Sequence, residues 1–175
     1  MRKTTTMKND RGFTLVEVLV AAMILMVALL TLATMFPTGY KQIADAGRLT
    51  LATNGANHIL EDLGSVPFTS VRNLDNFDTN SAGTSPAADP ELAIARRWRY
   101  MLKGSGGGFT FTTAENTAWG AVTPIGARAQ VQIRQSDNAA NVCPNTATTC
   151  RAVVVITMPG LPSNVVLSTI LVRMF

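Results

Sequence analysis

With 175 residues the chain has room for one membrane anchor and one small domain. A net charge of +4 does not mark a nucleic-acid binder, because Arg2, Lys3, Lys8 and Arg11 against Asp10 account for most of it and residues 13–175 are left at +1. The basic stretch 1–12 therefore reads as a cytoplasmic leader, and residues 13–175 as a nearly neutral exported chain. Residues 13–36 are an apolar run of 24 positions with one ionisable residue, Glu17. As a helix at ~1.5 Å per residue the run is roughly 36 Å long, and a bilayer core needs about 20 residues. A secretory signal is the rival reading, but its apolar core is usually about 7–15 residues and ends at a small-residue cleavage site. Without further signals an ordinary single-pass anchor would serve equally well. Glu17 is the exception: a lone carboxylate in such a segment is costly, takes up a proton unless partnered, and marks a functional site.

Pro37, Thr38 and Gly39 are expected to bend or interrupt the helix. The pattern then resumes, since Leu49, Ala52, Ala56, Ile59 and Leu63 share one helical face, and Gly64 and Pro67 supply the stop. Residues 37–64 are thus an amphipathic continuation, giving a helix of about 50 residues. Residues 65–95 are rich in Asn, Asp, Ser, Gly and Pro and read as a long surface connection. Trp98, Tyr100 and Leu102 alternate, which predicts a strand ending at Gly104, a glycine-rich turn over 105–108 and a hairpin partner over 109–113. Further strands are expected over 128–134, 153–158 and 165–174, the last two joined by a Pro-Gly-Leu-Pro-Ser-Asn turn. The expected fold class is α+β. A long N-terminal helix, transmembrane in its first half and amphipathic in its second, packs on a small antiparallel β-sheet domain spanning 65–175.

Cys143 and Cys150 lie in the exported part, where disulfides persist, and no His or further Cys accompanies them as a metal set would require. They are taken as a structural disulfide contributing at most about 2–3 kcal/mol through its short loop. No catalytic constellation is visible, so no enzyme, cofactor or metal is expected. His58, the single histidine, is a surface or boundary residue, and Gly106, Gly107 and Gly108 lack the context of a phosphate loop. Asp78, Asn80, Gly83 and Asp89 have the spacing of a calcium loop. Ala82 and Pro86 interrupt it, however, which favours a solvated polar loop. Arg96, Arg97, Arg99 and Lys103 surround Trp98 and Tyr100, a composition suited to phosphate contact and base stacking or to a protein partner. Four charges are a modest electrostatic footprint, so nucleic acid is the disfavoured partner.

Arg11-Gly12-Phe13-Thr14-Leu15-Val16-Glu17 resembles the amino terminus of type IV pilins and the pseudopilins of type II secretion. The resemblance rests on residues 8–36, extends along the helix to Pro67 and is architectural beyond. It implies that a prepilin peptidase cuts between Gly12 and Phe13 and methylates the amine of Phe13, and that Glu17 takes part in assembly. The new amine would be the nearest cation to Glu17, supplied by the same chain or by a neighbour in a filament. One departure is visible: many major pilins carry a proline at the position of Thr34, whereas here it is Pro37. The stretches 16–21 and 57–63 look more like the minor pilin and minor pseudopilin groups. The implied function is a structural, minor subunit of a type IV pilus. A minor pseudopilin of a type II secretion system and a DNA-binding pilin of an uptake pilus are the alternatives. Implied partners are other pilin subunits, the prepilin peptidase, an inner-membrane assembly platform and, before assembly, membrane lipid. The implied location is the inner membrane, with the N-terminus cytoplasmic, followed by an extracellular pilus or a periplasmic pseudopilus.

Overall fold

In a computed structural model of the chain, residues 12–104 and 108–173 are described. Leader residues 1–11, turn residues 105–107 and the Met174 end of the last expected strand lie outside them. Helix α1 runs Leu15–Ser65, and two compact units divide between Ala44 and Asp45. The expected interruption at 37–39 does not occur, because α1 stays helical through Pro37. A proline removes one ladder bond. The carbonyl left without a backbone donor is that of Ala33, four residues back, and the helix continues on either side of it.

In the unit that begins at Asp45, one face of α1 is buried by Ala52, Ala56, Ile59 and Leu63. Gly55 lies between them, and a Cβ there would stand 3.4 Å from Ile125 Cδ1 and from Ile156 Cδ1. A methyl group there would be in ordinary van der Waals contact, so the helix lies within one small side chain of the sheet. The sheet is antiparallel, in the order β1-β2-β3-β4, with β1 Phe77–Asp78, β2 Arg128–Gln135, β3 Thr149–Thr157 and β4 Val165–Val172. Alternation sets its inner face: Ala129, Val131 and Ile133 on β2 and Ala152, Val154 and Ile156 on β3 are fully buried. The register Val131↔Val154 and Ile133↔Ala152 places these rows side by side.

Two further expectations fail. Residues 96–104 are not a strand: α3 is a helix, Glu91–Lys103, and residues 109–112 lead into a second short helix, α4, Thr113–Trp119. Trp98 and Leu102 are one helical turn apart and enter the core, while Tyr100 is buried on another side against Trp119, with ring centroids 5.3 Å apart. Burial on two sides of a helix produced an alternation that imitates a strand. Nor is 65–95 only a surface connection. The short helix α2, Phe68–Val71, and a 3-10 turn over Arg72–Leu74 carry Val71 and Leu74 into the core, and β1 adds Phe77.

Candidate functional site

The amino-terminal segment begins with Gly12, Phe13 and Thr14 outside the helix. Thr14 caps α1: its Oγ1 accepts the Glu17 N–H at 3.3 Å, and its carbonyl accepts the same N–H at 3.0 Å. The Thr-x-x-Glu spacing is that of a capping box, a helix-start signal absent from the expectations above. Glu17 therefore stands in the first turn of α1, where unpaired N–H groups and the helix dipole favour a carboxylate. Among the described residues no cation pairs with it. Phe13 is 81% exposed, and large apolar side chains continue beyond it on every side of the helix, from Leu15 and Val16 to Met35, Phe36, Tyr40 and Ile43. One helix among the described residues is long and apolar enough to cross a membrane, and no part of its most apolar window is buried. A helix that is apolar all round is one that is buried in lipid or among other helices.

The second candidate group is dispersed by α3. Trp98 is fully buried, stacks tilted on Phe77 at 5.7 Å and donates its indole N–H to Asp62 Oδ2 at 2.8 Å. Arg99 is only 4% exposed, between the rings of Phe77 at 4.8 Å and Phe109 at 4.4 Å. It donates to Ser85 Oγ and to the carbonyls of Ser81 and Asp78. Burial, then the nearby Arg96, pull its guanidinium below the ordinary value. Tyr100 is buried, and its hydroxyl donates to the Gly120 carbonyl at 2.8 Å. Arg96 is held by Glu115 through Nη2 to Oε2 at 2.7 Å and also reaches the Thr110 carbonyl. Of the six residues only Arg97, 3.7 Å from Asp62, and the half-buried Lys103 face outward. The cluster fastens loops and α4 to the core, with Trp98 fully buried and Tyr100 nearly so.

Glu115 does two jobs at the start of α4. It completes a capping box with Thr112, accepting the Thr112 N–H at 2.7 Å, and it clamps Arg96. The hydrogen bond from Arg96 is the main reason its carboxyl lies at about 2, against burial that would raise it. A depressed carboxyl contributes stability that is fully present above its unfolded value of 4.5 and is lost as pH falls from there through about 2. Arg96→Ala is expected to move the Glu115 midpoint up toward 4.5, leaving only the Thr112 donors to hold it down, as read by carboxyl NMR titration.

The cysteines are joined, Cys143 to Cys150, with Cα atoms 5.8 Å apart and both side chains buried. The loop that resembled a calcium site is built on an ion pair instead. Burial would raise the Asp78 carboxyl, but Arg128 holds it below the usual range, with Nε 3.0 Å from each carboxylate oxygen. Asp89 accepts the Ala93 N–H at 3.1 Å in the first turn of α3. Among the described residues no three His, Cys, Asp or Glu side chains gather as metal ligands. His58 is exposed, 3.7 Å from Glu61.

Comparison with known proteins finds one match, at the amino-terminal segment. Residues 7–33 match the prokaryotic N-terminal methylation motif, a segment that takes in Gly12, Phe13 and Glu17. No curated protein and no solved structure matches the chain.

Proposed function

We propose, from a chain that carries the prokaryotic N-terminal methylation motif and is in that sense like type IV pilins and pseudopilins, that it is a minor structural subunit of a type IV pilus. The observation that carries this reading is α1: apolar all round from Leu15 to Phe36, unburied there, with one carboxylate in its first turn. Residues 1–12 are a cytoplasmic leader, removed between Gly12 and Phe13 by a prepilin peptidase that methylates the Phe13 amine. Residues 13–36 are the membrane and filament-core helix, 37–64 its amphipathic continuation, and 65–175 the exported domain.

The mechanism is physical. In the membrane, lipid covers α1. In the filament, handed over by an inner-membrane assembly platform, neighbouring helices replace the lipid. Lipid tails are as apolar as leucine, so transfer gives no drive between helices, and packing and polar pairs must supply the specificity. Glu17 supplies the polar pair, with the methylated amine of a neighbouring subunit, and so sets the axial register. The helix dipole and the Thr14 cap keep Glu17 in place until the neighbour arrives.

A minor pseudopilin of a type II secretion system would use the same helix in a short periplasmic filament. Mechanical shearing of cells separates the two. A pilus subunit is expected in the sheared fraction, whereas retention of all mature chain in the envelope of piliated cells would favour the pseudopilus.

A further inference from the structure

The sheet ends in an edge that no described residue covers. Among the described residues β4 pairs with β3 alone, and the Arg173 N–H donates to the Thr148 carbonyl at 2.8 Å just beyond that ladder. Antiparallel bonding alternates along a strand, so odd-numbered residues aim their backbone groups at β3. Val166, Ser168, Ile170 and Val172 aim theirs at the open side, where no described residue bonds to them. Natural edges are kept short, charged, bulged or proline-bearing. The opposite edge, β1, is two residues long and includes Asp78. β4 is eight residues long, Val-Val-Leu-Ser-Thr-Ile-Leu-Val, without charge, proline or glycine.

Its surroundings are partly apolar. Val166, Ile170 and Val172 are 57%, 49% and 60% exposed, and the inward-facing Leu167 and Leu171 are only half-buried. Along its C-terminal half runs a groove of about 710 Å³, lined by Val66, Phe68 and Val71 on one side and Leu171 and Val172 on the other. At that end stand two cations. Arg151 lies opposite Ile170, and Arg173 comes directly after the strand; neither is in an ion pair among the described residues.

We propose that the β4 edge pairs with an extended, apolar segment of a partner protein that carries acidic residues at the end meeting Arg151 and Arg173. Main-chain bonds to the four open residues supply affinity, alternate side chains enter the groove, and the two arginines fix direction. A second copy of this chain pairing through its own β4 lacks the acid. In an antiparallel β4–β4 pair the residues brought opposite Arg173 come from 158–166, which hold no carboxylate. The proposal concerns the unit from Asp45 onward and stands apart from the reading of α1.

The test uses the full chain in detergent micelles and fluorescent peptides of about ten residues, the length of a pairing strand. All have the same alternating valine–threonine core, tipped at the amino end with either two aspartates or two lysines. The aspartate peptide is expected to bind saturably and about three- to tenfold tighter than the lysine peptide. Ser168→Pro, which removes an outward N–H and no ladder bond, is expected to weaken it by about tenfold or more. Ile170→Lys, a change on the exposed face, is expected to do the same and carries the test if the proline variant fails to fold. Equal binding of the two peptides, or binding unchanged in both variants, would overturn the proposal. Self-association abolished by Ile170→Lys, with no peptide binding, would overturn it in favour of a second copy.

Discussion

Glu17→Val is expected to leave the chain cleaved and methylated in the membrane while reducing its content in sheared filaments by about a hundredfold or more. The magnitude comes from what the substitution strands. Inside a filament the methylated amine of a neighbour would be buried without its anion, and breaking a buried pair by removing one partner costs about 3–5 kcal/mol. At 1.4 kcal/mol per factor of ten, that is about two to three and a half orders of magnitude in the assembly equilibrium. Local helix effects are far smaller. Losing a first-turn carboxylate costs about 0.3–1 kcal/mol, and removing the cap by Thr14→Val costs about 1 kcal/mol. Thr14→Val is therefore expected to assemble at no worse than about a tenth of the normal level. Equal losses for the two variants would place the importance of Glu17 in the helix start and not in the pair.

Trp98→Ala is expected to destabilise the unit from Asp45 onward by about 3–5 kcal/mol, the range for truncating a buried aromatic. Trp98 is fully buried, packs on Phe77 and is the indole donor to Asp62, so truncation leaves both a cavity and a carboxylate oxygen short of a partner. Trp98→Phe keeps most of the volume and loses only the N–H, with an expected cost of about 1–3 kcal/mol. Urea unfolding of the full chain in micelles, monitored through the remaining tryptophan, Trp119, reads both. The same variants bear on the DNA reading. A base-stacking Trp98 would lose DNA affinity with its stability unchanged, an outcome its burial argues against.

Local signals decided how much of the molecule was legible in its sequence. The apolar run with one acid, the helix face from Ala52 to Leu63 and the β-branched strands near the C-terminus rest on periodicity within one element, and each was readable. The α3 segment was not, because its buried side chains face two neighbours. Ala95, Trp98 and Leu102 enter the core while Tyr100 meets Phe111 and Trp119, and that depends on α4 folding back. β1 was invisible for a different reason: two residues have no period, and Phe77 pairs with Val131 from 54 positions away. Composition misleads at the arginine cluster. Arg99 and Trp98 look like a nucleic-acid surface as letters, yet the helix turns them inward to brace loops. At the amino terminus the converse held: the methylation motif was legible through its resemblance to known sequences, and Gly12, Phe13 and Glu17 fall within the matched stretch, residues 7–33. The Thr14 cap is equally local, but the charge of Glu17 masks its second role as the end of a Thr-x-x-Glu capping pattern.

Intact mass spectrometry of the chain from its native membrane is the most direct measurement. The expected species has lost residues 1–12, begins at Phe13 and is heavier by one methyl group. A chain that keeps residues 1–12 in cells with an active prepilin peptidase would contradict the pilin reading, and α1 would then be an ordinary anchor whose Glu17 has some other partner.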